Sequence, residues 1–415
     1  MQINNLINTL PNKILKRTTK FLAKQEQSES LSHVRFVQDT VTNLIPKATF
    51  ARSFADLSEN SFQEVGESVL VYYTPKLLGN GFFRPLYERG LDAAARQKIS
   101  TPMTELNKDA SISAEKLKEI KPIKAAIAAS CLIIPLAEYS LCYLKNLFTL
   151  KVFHQADFNN IANLNKDKKK IEERARQEKV KRHAINNMLG AAAAFGGCLL
   201  TSLLLVKKGK SSNALQKLSD IILTPGSVFF KNNKKKAAAV NKYFSLDFRD
   251  DNGKLSLSHG QLTSCVLLGG AGYFGSSADR GKQNFLETLF RFPLVGFYVV
   301  TGSEMFERAF KKILRKKDSF KDTITNDLKV PDYKNLPELA QKLAEKNKTT
   351  VETEFAKLCR QKALIAGVPF LFGMLFMGMF VAGVSRAFTQ YRYNHEQKNM
   401  PTNLIARAKI NAQKP

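Results

Sequence analysis

Tryptophan is absent from the 415 residues. A membrane–water interface, if there is one, is therefore marked only by tyrosine, phenylalanine, lysine and arginine. Acidic residues are few beside basic ones, 36 against 64, for a formal net charge of +28. A surplus of this size favours anionic partners, either nucleic acid or an anionic lipid surface. No nucleic-acid module is recognisable, and no basic run is interleaved with stacking aromatics, so nucleic acid is not expected. The five cysteines, Cys131, Cys142, Cys198, Cys265 and Cys359, are odd in number and form no CxxC pair. That excludes a disulfide framework; four of them lie in apolar runs and read as small buried hydrophobes. The five histidines, His33, His154, His183, His259 and His395, are scattered, with no HExxH. A Walker A loop, a GxSxG elbow and a Cys–His pair are also missing, so neither metal nor cofactor is expected and an enzyme is disfavoured.

What the chain does have is long apolar runs. Residues 363–384, ALIAGVPFLFGMLFMGMFVAGV, carry no charge. About 20 such residues at ~1.5 Å rise cover a ~30 Å hydrocarbon layer. Lys357, Arg360 and Lys362 precede the run, and Arg386 and Arg392 follow it, where basic heads are expected at lipid phosphates. The mean hydropathy is only −0.23, because the apolar residues are bunched and the segments between them are polar. Two further long runs occupy residues 123–144, interrupted by Pro135 and Glu138, and residues 188–206, with a small-residue face at Gly190, Ala194, Gly196 and Gly197. Two shorter runs, 262–278 and 285–306, read as short spans or a re-entrant hairpin; the second contains Glu287, Arg291, Pro293 and Glu304.

The remaining organisation follows from these runs. Residues 1–28 form a basic segment with no acid before Glu26 and with Ile3, Leu6, Ile7 and Leu10 on one helical face. They read as a surface-lying amphipathic helix, a transit segment or a frayed basic tail, and no secretory h-region is present. Residues 29–122 read as a soluble helical region, 123–306 as the membrane region, 307–362 as a basic helical connection and 385–415 as a basic tail. The connections 207–261 and 307–362 are the richer in Lys and Arg, which leans them and the N-terminal region to the cytoplasmic side. Their basic clusters, Lys207, Lys208, Lys210, Lys234, Lys235, Lys236, Lys311, Lys312, Arg315, Lys316 and Lys317, are the candidate lipid-surface residues.

Three motifs carry possible chemistry. Gly270, Gly272 and Gly275 spell GxGxxG, which binds a dinucleotide only between a strand and a helix. The competing reading makes Gly272 with Ser276, and Ala271 with Gly275, close-packing positions in a membrane helix. Residues 248–261, FRDDNGKLSLSHGQ, place Asp250 and Asn252 as in a calcium loop but have Phe248 and His259 where calcium needs acids. Asn252-Gly253 between alternating segments instead predicts a β-hairpin. Glu138 inside a span is a candidate for proton or cation handling, set against snorkelling or pairing with Lys145 near the interface. Glu287 and Arg291, four apart, are expected to pair with each other.

The expected fold is all-α, a polytopic integral membrane bundle of three long and two weaker spans with a soluble helical N-terminal region. The expected role is structural or organising: binding anionic membrane lipids and protein partners through basic loops, with homo- or hetero-oligomers through small-residue faces. A transporter or channel component using Glu138 is the alternative, and a membrane-attached nucleotide-using enzyme the third. In the absence of a clear eukaryotic address, a bacterial cytoplasmic membrane is the expected location.

Overall fold

The computed structural model describes residues 12–26, 31–164 and 170–412. The apolar face at Ile3, Leu6, Ile7 and Leu10 lies outside them. The described chain is all-helical apart from one hairpin. Its main helices are α1 (Asn12–Ala23), α2 (Leu31–Asp39), α3 (Phe54–Tyr72), α4 (Ala114–Ser130), α5 (Ile133–Phe153), α6 (Lys170–Lys208), α7 (Asn213–Leu223), α8 (Lys234–Phe244), α9 (His259–Arg280), α10 (Lys282–Phe297), α11 (Ser303–Arg315), α12 (Leu336–Asn347), α13 (Val351–Phe372) and α14 (Val381–Ala412). Several start on the expected side-chain caps. Ser53, Ser113 and Thr350 each accept a backbone N–H three residues on, and Ser258 with Gln261 closes a reciprocal box at α9.

Among the described residues four helical stretches are long and apolar enough to cross a membrane: Ala114–Phe153, Arg176–Lys208, Lys282–Arg315 and Val351–Lys398. They contain the expected runs 123–144, 188–206, 285–306 and 363–384. The fifth expected span, 262–278, falls in α9, which is not among them. Its serines, threonine and glycines are largely buried against α5 and α10. Pro135 does not break a span. The chain turns at Cys131 and Leu132, and Pro135 sits in the first turn of α5, where its missing N–H is not needed.

Several stretches are continued through wider π-helical turns: α2 through Thr40–Leu44, α10 through Tyr298–Gly302, and α13 through eight residues, Gly373–Phe380. These three meet. Gly378 lies against the backbone of Thr42, and Gly373 against the Tyr298 hydroxyl. π-Turns of this kind gather at functional sites.

The chain shows no break at residue 122. Pro122 lies inside α4, and α3 packs along α5. One apolar core joins Val71, Met103, Ile127, Leu205, Leu257 and Val299 across the expected boundary. The predicted hairpin is present in shortened form. Strands β1 (Arg249–Asp251) and β2 (Lys254–Ser256) pair antiparallel around Asn252 and Gly253, both at positive φ. The residues KYF before it belong to α8.

The described part of the basic N-terminal segment is docked. Leu15 is buried with Leu336, Leu343 and Leu358, and Thr19 donates to the Cys359 carbonyl at 3.1 Å. Lys16 lies over the Phe355 ring.

Candidate functional site: a charged chamber inside the bundle

Three helices are inside out. On α3, Phe54, Phe62, Val65 and Val69 are exposed, while Asp56, Glu59, Gln63, Glu64 and Ser68 are buried. On α10, Leu289, Phe290, Leu294 and Phe297 are exposed, while Gln283 and Asn284 are buried. On α14, Val384, Phe388 and Tyr391 are exposed, and Ser385, Arg386 and Thr389 are buried. Water drives apolar surface inward. A polar interior under an apolar exterior is instead the arrangement suited to hydrocarbon, where every polar group must be satisfied within the protein.

The buried faces converge on a cavity of about 110 Å³. Its charged lining is Lys47, Arg52, Lys145, Arg291 and Arg386 against Asp56, Glu59, Glu64, Glu67 and Glu287. The spacing explains the convergence: positions 56, 59, 60, 63, 64 and 67 on α3, and 284, 287, 288 and 291 on α10, each make one helical stripe. Lys145 comes from α5, Tyr273 from α9 and Arg386 from α14.

The acids are held. Arg280 grips Glu59 with both terminal nitrogens, at 3.0 and 2.6 Å, and Thr149 donates to the same carboxylate at 2.8 Å. Arg52 grips Glu287 at 3.0 and 3.3 Å, donates its backbone N–H to Asp56 at 3.0 Å, and stacks over Phe158. Lys47 pairs with Glu64, and the Tyr273 hydroxyl donates to Glu67 at 2.9 Å. The orphaned buried atoms among the lining residues are all donors: Arg291 Nη2, Arg386 Nε and Nη1, and Asn284 Nδ2. Among the described residues the one acid within ion-pair distance of Arg386 is Asp56, at 3.9 Å. Buried ion pairs are costly to desolvate, and apolar replacements of equal size are often neutral or stabilising. So many in one place therefore argue for a function other than holding the fold.

Glu138 is not in this chamber. It is buried against Gly269, its carboxyl is hydrogen-bonded to the Cys265 thiol, and its Oε2 has no partner. It therefore neither snorkels nor meets Lys145, which lines the chamber instead. The expected Glu287–Arg291 pair is replaced by Glu287–Arg52, across 235 residues of sequence.

Gly270, Gly272 and Gly275 lie within the unbroken helix α9, so there is no strand-to-helix loop to receive a pyrophosphate. They are contact points. A side chain at Gly272 would meet the Tyr139 carbonyl at 2.8 Å, and one at Gly275 the Tyr143 hydroxyl. Of the basic clusters, Lys207, Lys208, Lys210, Lys234, Lys235, Lys236, Lys312, Lys316 and Lys317 are exposed, with Lys210 paired to Glu119. Arg315 is half-buried and bonded to Asn326. Lys311 is buried, 2.8 Å from Glu307, so it faces no lipid surface. Lys362 is wholly buried against Glu26, and Arg386 points into the chamber; neither stands at an interface.

A second cavity, about 690 Å³, opens between the 102–108 segment, α8 and the start of α9. Lys108, Lys234, Lys242, Arg249 and His259 line it. Its one acid, Asp247, pairs with Lys124 at 2.9 Å. Burial, reinforced by Lys242, pushes the His259 imidazole down to about 4, so it is neutral at pH 7. Among the described residues no group of His, Cys, Asp and Glu is arranged to hold a metal ion.

The chamber residues on α3 were hidden in what reads as a soluble region. The available signal was the acidic stripe at helical spacing opposite Phe54, Phe62, Val65 and Val69. No known family model, curated protein or solved structure matches the chain, so its function is argued from this site.

Proposed function

We propose that this is a multi-pass membrane protein whose helices enclose a solute- or ion-binding chamber, as in a transporter or channel component. The observation that carries the reading is the inverted burial of α3, α10 and α14 around the charged cavity. Intramembrane ionisable groups that face a bundle interior mark substrate and ion pathways. The site is the Arg52, Asp56, Glu287, Arg291 and Arg386 cluster rather than Glu138.

Adjacent residues test it. Thr288 lines the chamber, and Leu289 points outward. In a Cys-free background, a membrane-impermeant thiol reagent should label Thr288→Cys but not Leu289→Cys in carbonate-washed membranes. Equal labelling of the two, or loss of the protein to the wash, sinks the reading.

A second reading, an organising protein bound to anionic lipid, is favoured by one surface. Phe229 and Phe230 are exposed beside Lys231 and close in sequence to Lys234, Lys235 and Lys236. Aromatic groups set among lysines suit a headgroup layer. Replacing the four lysines by Gln should then weaken lipid association in a salt-dependent way while leaving Thr288→Cys labelling unchanged.

A further inference from the structure

The ligand class follows from which groups the chamber leaves unused. Every lining acid has a partner. Glu59 is taken by Arg280 and Thr149, Glu287 and Asp56 by Arg52, Glu64 by Lys47, and Glu67 by Tyr273. What stays unspent is donor capacity. Arg386 is 7% exposed, yet two of its guanidinium nitrogens have no acceptor, and neither does one of Arg291. Both guanidiniums line the same cavity with Asn284, whose amide nitrogen is also orphaned. A cation placed there would add charge beside two guanidiniums whose N–H groups it could not accept. An oxyanion has the opposite character, since its oxygens accept in the plane of the guanidinium fork. The cavity volume of about 110 Å³ accommodates such a group, well above the ~10–15 Å³ one water requires.

We propose that the chamber binds a small soluble oxyanion, a carboxylate or phosphate group, held by Arg291 and Arg386 with Asn284. This rests on the chamber being a ligand site and specifies what enters it. The Arg52 pairs are then scaffolding that occupies the carboxylates of Asp56 and Glu287.

The same labelled position separates the two claims. The Thr288→Cys protein is reconstituted in phosphatidylcholine vesicles, and its alkylation rate is measured with sodium phosphate, sodium succinate, sodium chloride or choline chloride at matched ionic strength. Phosphate or succinate should slow labelling in the millimolar range, and chloride and choline should not. Protection by phosphate identifies a phosphoryl oxyanion, and protection by succinate a carboxylate. Adding Arg291→Gln or Arg386→Gln should raise the protecting concentration about ten- to a hundredfold, the loss expected for one buried charge-assisted bond. Arg386→Lys should restore part of it. A monodisperse detergent-solubilised form in these variants shows that the bundle has kept its fold, and protection is scored against each variant's own basal labelling rate. If a variant does not accumulate, the arginine-intact protein still decides the matter. Labelling that no oxyanion slows, or that choline slows, overturns the inference while leaving the chamber in place. Protection seen only when phosphatidic acid is built into the bilayer overturns it too, since the occupant is then a lipid. Absence of labelling at Thr288→Cys with every salt removes the chamber itself.

Discussion

Two regions of this molecule follow opposite rules. Around Tyr87, Ile99, Met103, Leu106 and Leu257 the interior is apolar, and the surface over it carries Arg89, Asp92, Lys108 and Lys234. Around the chamber the interior is charged, and the surface is Phe54, Val65, Leu289, Phe297, Phe388 and their neighbours. Both cannot be optimal in one solvent. The first arrangement is the one water favours, and the second the one hydrocarbon favours. Helix α4 belongs to the first region alone: Ile120, Ile123, Ala125, Ala126, Ile127 and Ala128 all lie in the apolar core, and none of its residues lines the chamber.

The comparison can be broken most severely at Glu59. Its removal as Glu59→Ala leaves Arg280, 1% exposed, without its partner. Breaking a buried pair costs about 3–5 kcal/mol. The expected outcome is a collapse of thermal stability in detergent, regained in part by Glu59→Met combined with Arg280→Met. A smaller effect separates the outer surfaces. Val65→Lys should disfavour membrane insertion by about 2.5–3.5 kcal/mol, measured by an insertion assay. Were α3 bathed in water, the same change at this 53% exposed position would fall within about 0.5 kcal/mol of neutral. In the conventional core, Ile99→Val should cost about 0.5–1.5 kcal/mol whatever the lipid, because only packing is lost there. A thermal series in two bilayer compositions checks that independence.

The last effect is a pH term at the second cavity. The folded pKa of His259, about 4, lies below its ordinary value. Between about 4 and 6.5 the unfolded chain therefore binds the proton that the folded one refuses. Stability should rise with pH across that window and lose its His259 component in His259→Gln, read as a flatter pH profile of Tm.

The apolar runs were legible because lipid-length stretches such as 188–206 and 363–384 carry no charge. The inverted helices were not. Averaging along α3 mixes its inward acids with its outward Phe and Val, and the sum resembles an ordinary soluble helix; only the period separates the two faces. Glu138 stood out as a lone acid in a run, yet the chamber is assembled from acids and bases that each look unremarkable locally. Arg52 meets Glu287 from 235 residues away, a pairing no spacing rule reaches. Arg386 and Lys362 looked like flanking charges because their position just outside or at the edge of an apolar run says nothing about which way they point. The hairpin at Asn252 and Gly253 was readable because its backbone geometry is local.

The widened stretch Gly373–Phe380 sets a phase. It lies a few residues upstream of Arg386, and a π-turn carries one residue more than the α-turn it replaces. Each residue of an α-helix advances the chain by about 100° and about 1.5 Å. Deleting one residue within this stretch would leave composition and apolar length almost untouched, yet would turn the helix that follows by about that angle. Arg386 would swing toward the lipid side, and one of its apolar neighbours would face the charges in its place. The widened helix acts as the gear tooth that keeps the arginine in mesh with the rest of the bundle.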